Sequence, residues 1–231
     1  MRRLVPGDEQ YGDPLSTAGE GPGHVVGRTV SSLNLERPSA ARELGLGALQ
    51  IWQRVSEAQG RGRGDRPLAI LFTDLVRFSS WAVDAGDVAV VELLRSTGVA
   101  VEGAITDHRG TVVKRLGDGL MAVFDTPAAA VAAAHEANAR LARVDVDGYT
   151  PRMRAGVHVG RPRRLGGDYL GVDVNIAARV MDAAKAGEVL VSEEACRDLP
   201  EADRGRSRRL RADGIPKGLR VVRMREPERD G

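Results

Sequence analysis

Cysteine is almost absent from this sequence, which has a single one, Cys196, among 231 residues. One cysteine excludes an intrachain disulfide and a cysteine-rich zinc site, and such scarcity is typical of proteins in a reducing compartment. No apolar run approaches the roughly 18 residues of a membrane-spanning helix, and the first residues lack the apolar stretch of a secretory signal. We therefore expect a cytoplasmic protein without a membrane span.

Aromatic residues and lysine are also scarce. Aromatic residues make up 3% of the chain, so the core must be built mainly from Val, Leu, Ile and Ala. Only three of the 34 basic residues are lysine, namely Lys114, Lys185 and Lys217. A compact ammonium and a planar guanidinium are not interchangeable at a site, so each lysine is a candidate for a specific role. The formal net charge of +2 is too small to argue for a nucleic-acid partner.

Composition divides the chain into four parts. Residues 1–38 hold Gly, Pro, Ser and scattered charge without periodicity, which indicates a flexible arm. Residues 39–65 begin with helical periodicity and end in a Gly-Arg run, which predicts a helix and a linker. Regular patterns occupy residues 66–226, the predicted folded domain, and residues 227–231 remain as a tail.

Within the predicted domain, short apolar runs alternate with segments of helical periodicity. An Asp-Gly pair between two apolar runs predicts a hairpin, and Thr126 followed by Pro127 predicts a helix start. The predicted order is βαββαβαβ with one further strand, which favours an α/β (α+β) fold with a ferredoxin-like split βαβ core. Its sheet should be mixed and mostly antiparallel, with helices packed on one face. Strands are predicted over 68–73, 111–116, 120–124, 153–159, 188–192 and 219–224, and helices through 88–101 and over 128–142 and 171–186.

Two aspartates stand where predicted strands end. Asp74 directly follows the first strand, and Asp118 lies at the tip of the hairpin. Each alone is an ordinary cap or turn residue. Neighbouring strands would bring the two carboxylates together, and paired carboxylates hold Mg²⁺, which takes its remaining oxygens from water and substrate phosphates. The pair therefore predicts a nucleotide site.

Three further residues suggest how such a site is completed. Asn175 and Arg179 lie four apart in a predicted helix, so they share a face and can reach one ligand, although such residues often form only the wet side of a helix. Lys114 precedes Asp118 by four residues, about 13 Å along a strand. That separation is too large for one small site, so a second copy of the chain should supply one of them.

Three segments of the sequence resemble the signatures of class III nucleotidyl cyclases. They are Phe72-Thr73-Asp74-Leu75, the run from Val113 to Gly119, and the run from Asp168 to Val180. The resemblance extends from about Pro67 to Arg225, and the motifs occur in the order that the family requires. It implies that residues 66–226 form a cyclase catalytic domain.

The resemblance implies a role for each matching position. Asp74 and Asp118 correspond to the aspartates that hold two divalent ions, Mg²⁺ or Mn²⁺, with the backbone carbonyl of Leu75 as a further ligand. Asn175 corresponds to the residue that orients the ribose and Arg179 to the residue that stabilises the transition state. Lys114 and Asp168 correspond to the pair that reads the purine.

In the family these sites form between two chains arranged head to tail, with the metal aspartates from one chain and the other four residues from its partner. This chain carries all six side chains, so a homodimer would complete two sites. Adenine offers a donor at its amine and an acceptor at the adjacent ring nitrogen, which suits Asp168 and Lys114, whereas guanine reverses the pattern. The implied activity is adenylate cyclase: the 3′-hydroxyl of ATP attacks the α-phosphorus, giving cyclic 3′,5′-AMP and pyrophosphate.

Two positions depart from the family pattern. Arg77 stands where a Gly usually lets the backbone wrap the phosphates, so it either adds a phosphate contact or obstructs the turn. Lys217 lies in the run from Asp213 to Gly218, near where the family often has a phosphate-binding Lys, and it is either that residue or a solvated loop charge.

Other functions stay open at the level of sequence. A guanylate or pyrimidine cyclase is disfavoured by Lys114 and Asp168. A catalytically silent cyclase-like module would be favoured by loss of a metal aspartate or of Arg179, and neither is lost. The stretch from Arg204 to Arg211 holds five Arg and could contact nucleic acid, but no aromatic residue interleaves it, so a solvated connection is predicted.

Overall fold

The computed structural model describes residues 66–226, and the structural statements below refer to that part of the chain. The predicted arm, the predicted helix and linker at 39–65, and the tail lie outside the described residues. Within residues 66–226, no helix is long and apolar enough to cross a membrane.

The domain has a seven-stranded sheet in the order β2-β3-β1-β4-β7-β9-β8 and a separate hairpin of β5 and β6. All strand pairs are antiparallel except β4 with β7, which is parallel. The strands are β1 (Leu68–Leu75), β2 (Thr111–Leu116), β3 (Gly119–Phe124), β4 (Met153–Gly160), β5 (Arg163–Leu165), β6 (Asp168–Leu170), β7 (Val189–Ser192), β8 (Arg204–Arg209) and β9 (Arg220–Met224). The helices are α1 (Phe78–Asp107), α2 (Pro127–Leu141) and α3 (Val172–Asp182), with 3₁₀ turns at Ala195–Asp198 and Glu201–Asp203.

One face of the sheet is covered by α1 and α2. The core on this side joins Ala69 and Leu71 of β1 to the Ala-rich helix α2. Thr126 caps α2 as predicted, since its hydroxyl accepts a hydrogen bond from the backbone N–H of Ala129 at 3.3 Å and Pro127 occupies the first helical position. The small alanine side chains let α2 lie close to the sheet.

The opposite face is covered by α3, so the prediction that the helices lie on one face is wrong. Ile70 and Phe72 of β1 pack against Val174 and Ala177 of α3. The sequence of β4 alternates apolar residues with polar and glycine residues, as a strand with one solvated face would. In the structure α3 covers the face of β4 that carries the polar and glycine residues. A Cβ on Gly156 would lie 2.1 Å from the backbone N of Met181.

The fold class and all six predicted strands are confirmed, and four elements differ from expectation. The helix predicted over 171–186 ends at Asp182. The Arg-rich stretch predicted as a solvated connection forms the edge strand β8. Among residues 66–226 this strand has no partner on its outer side, and exposed Arg side chains at a sheet edge disfavour pairing with another chain. The short β5–β6 hairpin escaped prediction because its strands have three residues each. The first helix is interrupted at Gly86, whose φ of 80° and ψ of 162° are not helical.

The turn between β1 and α1 places Arg77 in the left-handed region, with φ 64° and ψ 14°. A side chain in this region costs roughly 1–2 kcal/mol, which a glycine would not incur. The turn therefore forms despite Arg77, so Arg77 does not prevent the backbone turn. Arg77 is exposed, and no described residue pairs with its guanidinium.

We expect the Arg77→Gly variant to be more stable than the wild type by up to about 1 kcal/mol, because relief of the strain exceeds the added flexibility of the unfolded chain. Arg77→Ala is the matched control, since alanine loses the same side chain but keeps the strain. Urea unfolding of the three proteins measures the effect, and equal stabilities of the Gly and Ala variants would contradict it.

Candidate active site

The end of β1 and the tip of the β2–β3 hairpin bring Asp74 and Asp118 together. β1 and β3 are paired up to Thr73 and Leu120, and a Cβ on Gly119 would lie 2.1 Å from the carbonyl oxygen of Thr73. Only glycine permits this approach. The backbone N–H of Leu75 then donates a hydrogen bond to Oδ2 of Asp118 at 3.2 Å. The two predicted metal-binding carboxylates thus share one end of the sheet.

Burial, and after it the negative charge of Asp74, raises the pKa of Asp118 to about 7. When a carboxyl group lies beside another carboxylate, a nearby cation makes its ionisation more favourable. Carboxylate oxygens are also the ligands that Mg²⁺ and Mn²⁺ prefer. The donor set therefore fits a divalent cation. Among residues 66–226 no group of three or more His, Cys, Asp or Glu side chains is arranged to hold a metal ion.

The raised pKa predicts that Asp118→Asn stabilises the metal-free protein, increasingly at higher pH. The folded protein holds the Asp118 proton more tightly than the unfolded chain, so this carboxyl destabilises the fold progressively as the pH rises from about 4 to about 7. Between about pH 5 and pH 8 the advantage of the Asn variant should grow by on the order of 1 kcal/mol, allowing for solvent screening. Urea unfolding with a chelator at both pH values measures it, and a difference independent of pH would contradict it.

Arg154 of β4 is the direct partner of Asp74. Its Nε and Nη2 donate to Oδ2 of Asp74 at 2.8 and 2.5 Å, and its Nη1 donates to the carbonyl oxygen of Asp182 at 3.0 Å. The Arg154 side chain is 14% exposed. The sequence analysis missed Arg154 as a site residue. The one indication of its role in the sequence is that Arg154 and Gly156 lie on the same face of β4. That indication can be used only when α3 is known to cover this face.

Asp182 connects this pair to Arg179. Nη1 of Arg179 lies 3.1 Å from Oδ2 of Asp182, and Nη2 of Arg154 lies 3.7 Å from Oδ1 of the same carboxylate. Arg179 is 16% exposed, and its buried Nε has no hydrogen-bond partner among the described residues. An arginine with a buried donor that lacks a partner can receive an anionic ligand.

Lys114 and Asp168, predicted as the purine-reading pair, are in contact. Nζ of Lys114 lies 2.7 Å from Oδ2 of Asp168, and the side chains are 26% and 28% exposed. Oδ1 of Asp168 accepts from the backbone N–H of Tyr169 at 2.7 Å, which fixes the carboxylate. One donor and one acceptor are therefore held side by side at a partly exposed position.

Asn175 is buried on α3 and points to the loop between β8 and β9. Its Nδ2 donates to the carbonyl oxygen of Gly214 at 2.7 Å. Lys217 lies three residues further along this loop and is exposed. The structure thus joins Asn175 to the segment that carries Lys217, while no described residue forms an ion pair with Lys217.

His158 is a buried polar residue to which the sequence assigned no role. Its Nδ1 lies 2.8 Å from Oγ of Ser192, and its Nε2 lies 3.6 Å from Oδ1 of Asp173. Because His158 is on β4, Ser192 ends β7 and Asp173 is in the first turn of α3, these three side chains lie where the start of α3 meets the sheet. His158 is part of the support of the site, not of its lining.

Comparison with known proteins identifies the family. Residues 64–213, well over half of the chain, match the adenylate and guanylate cyclase catalytic domain. A pH-sensitive adenylate cyclase of Mycobacterium tuberculosis is 35% identical over 174 residues, covering 70% of this chain and 41% of the relative. An adenylate cyclase of Glutamicibacter nicotianae is 30% identical over 139 residues, covering 58% and 34%. The chain thus spans less than half of the length of these curated relatives.

Solved structures with the same fold include the guanylyl cyclase Cya2, with a TM-score of 0.64 and 23% identity over 72% of this chain and 98% of that one. The adenylyl cyclase CyaB from P. aeruginosa has a TM-score of 0.59 and 22% identity, covering 71% and 96%. At these identities the likeness establishes the fold, and the match to residues 64–213 establishes the family. The chain therefore belongs to the family of adenylate and guanylate cyclase catalytic domains.

Proposed function

We propose that this chain is an adenylate cyclase that converts ATP to cyclic 3′,5′-AMP and pyrophosphate at the interface of a head-to-tail homodimer, with two divalent ions, in the cytoplasm. The family membership supports cyclisation of a nucleoside triphosphate. The 2.7 Å contact between Lys114 and Asp168 carries the choice of ATP. The other parts of the proposal rest on Arg179, on the carboxylates of Asp74 and Asp118, and on the position of the base-reading pair. The base-reading pair is Lys114 and Asp168.

The base-reading pair favours adenine because of what each atom can donate or accept. Lys114 has donors only and suits the ring nitrogen acceptor of adenine, while the Asp168 carboxylate is an acceptor and suits the exocyclic amine. Guanine would place its carbonyl oxygen against the carboxylate and its ring N–H against the ammonium. A site that is built from fixed polar groups discriminates strongly against a ligand that leaves them unpaired.

Asp74 and Asp118 would hold the divalent ions, with the backbone carbonyl of Leu75 as a further ligand. Bound there, the ions would lower the pKa of the attacking hydroxyl and would balance the negative charge of the triphosphate oxygens. Arg154 neutralises Asp74 in the metal-free chain. Arg154 lies at the edge of the same site and would be placed to bind phosphate oxygens there.

Asn175 and Arg179 would act on the reacting part of the nucleotide. The Asn175 amide orients the ribose, so that the 3′-hydroxyl lies in line with the bond that breaks at the α-phosphorus. The Arg179 guanidinium, which keeps a free buried donor, stabilises negative charge that develops on the transferring phosphoryl group. Lys217 provides a further cation for the leaving phosphates from its exposed loop.

A shared site would explain why Lys114 and Asp118 lie at different positions of the β2–β3 hairpin. Lys114 lies on β2 and Asp118 at the hairpin tip, about 13 Å apart along an extended strand. A nucleotide bound to Asp118 of one chain therefore takes its base contacts from Lys114 of the partner. Two chains related by a twofold axis complete two such sites.

The test is the measurement of product from ATP, GTP, CTP and UTP, each with Mg²⁺ or Mn²⁺. Cyclic AMP from ATP alone would support the proposal, and cyclic GMP as the main product would replace it with a guanylate cyclase. No product from any nucleotide, with nucleotide still bound, would favour a catalytically silent module.

The same assay with Arg77→Gly separates the two roles considered for Arg77. A higher KM for ATP means that a phosphate contact is lost, and a lower KM means that an obstruction is removed.

A further inference from the structure

The loop between β8 and β9 is held firmly against α3. The backbone N–H of Leu210 donates to the carbonyl oxygen of Leu219 at 2.8 Å, which closes the base of the loop. Leu210 and Leu219 are buried in a cluster with Ile176 and Val180 of α3, and Ile215 of the loop tip packs against that cluster. The loop therefore has a defined position relative to the helix that carries Asn175 and Arg179.

Within this loop, Gly214 contacts Asn175 directly. The carbonyl oxygen of Gly214 accepts the hydrogen bond from Nδ2 of Asn175 at 2.7 Å. A Cβ on Gly214 would lie 2.9 Å from the same nitrogen, and the φ of Gly214 is 78°. Asn175 is 7% exposed, so its amide has little room to adopt another orientation.

We propose that Gly214 is a positioning residue for Asn175, fixing the amide in the orientation in which it meets the substrate. This inference rests on the proposed function and deepens it. One N–H of the amide is used by Gly214, which leaves the second N–H and Oδ1 available for the ribose. The bond to Gly214 sets the rotation of the amide about χ2, a torsion that is broad when no partner restricts it. Glycine is required because any side chain would displace the nitrogen that it holds.

Gly218 in the same loop offers a matched control. It also has a positive φ, 94°, so alanine is strained there as well, but a Cβ on Gly218 would meet no atom within 4 Å. We expect Gly214→Ala to lower kcat for cyclic AMP formation by about tenfold or more, because small displacements of an orienting group are costly in rate. The KM for ATP should change little, because Lys114 and Asp168 still read the base. Gly218→Ala should be destabilised to a similar extent with kcat within about twofold of the wild type.

A double-mutant cycle with Asn175→Ala tests whether Gly214 acts through Asn175. In the Asn175→Ala background, Gly214→Ala should cause no further loss of kcat and a smaller loss of unfolding free energy than in the wild type, whereas Gly218→Ala should act equally in both backgrounds. Equal kcat losses for Gly214→Ala in the two backgrounds, or for Gly214→Ala and Gly218→Ala in the wild type, would overturn the inference alone. A wild type that forms no cyclic nucleotide would overturn the proposed function and this inference with it.

Discussion

Mixing the Asp74→Asn and Arg179→Ala proteins is expected to restore about a quarter of wild-type cyclase activity, although each protein alone is inactive. Asp74→Asn removes a charge that we propose binds metal, and Arg179→Ala removes the cation that we propose acts on the transferring phosphoryl group, so each should lower kcat at least about 100-fold. In a heterodimer with head-to-tail sharing, one site contains both substitutions and the other contains neither. Random pairing makes about half of the dimers heterodimers, each with one intact site of two.

The measurement is cyclic AMP formation as the ratio of the two proteins is varied at constant total concentration. Activity should be highest at equal amounts and should fall to the background at either end. Mixing Asp74→Asn with Asp118→Asn is the control, because both substitutions lie in the same half of the shared site and no heterodimer has an intact one. Activity that stays at background in the first mixture, with heterodimers present, would contradict the shared site.

Exchanging the two members of the base-reading pair is expected to change the preferred purine. The Lys114→Glu, Asp168→Lys double variant keeps an ion pair at this position and reverses the donor and the acceptor. It should lower kcat/KM for ATP at least about 100-fold and make GTP the better substrate, because guanine presents the reversed pattern. The ratio of kcat/KM for GTP and ATP measures the change.

The single variants are the controls for this exchange. Lys114→Glu places a carboxylate against that of Asp168, and Asp168→Lys places an ammonium against that of Lys114, so each should lose ATP activity without gaining GTP activity. Thermal unfolding of all four proteins separates a change of substrate from a loss of fold. A double variant that still prefers ATP would show that the base is read by other residues.

The order of strands and helices could be predicted from the sequence because it depends on local patterns. Apolar runs, the Asp-Gly turn and the Thr126-Pro127 start each predict an element from a few neighbouring residues. The second helical layer could not be predicted in this way. Gly156 and His158 lie on a strand face that resembles a solvated one, and only the three-dimensional arrangement shows that α3 covers it.

The same distinction holds for the site. Asp74, Asp118, Lys114 and Asp168 could be predicted as candidate site residues because strand ends and motif order place them, and the structure brings the two members of each pair together. Arg154 contacts Asp74 across 80 positions of sequence, and Gly214 contacts Asn175 across 39. A contact of that kind leaves no periodic trace in a single sequence, since one arginine or one glycine is unremarkable among 28 glycines and many arginines.

The close seat of α3 on β4 also restricts how this protein can be made more heat-resistant. Replacing a strand glycine by alanine is a common route to stabilisation, because it reduces the freedom of the unfolded chain. Alanine is not tolerated at Gly156 or Gly160. The new methyl group would lie 2.1 Å from Met181 at position 156 and 2.3 Å from Asp173 at position 160, and in each case it would push α3 away from the sheet. Gly167 has open space around it and no left-handed φ, so alanine at this position would meet no atom of its own chain. Engineering for thermal tolerance should therefore begin at Gly167 and leave β4 unchanged.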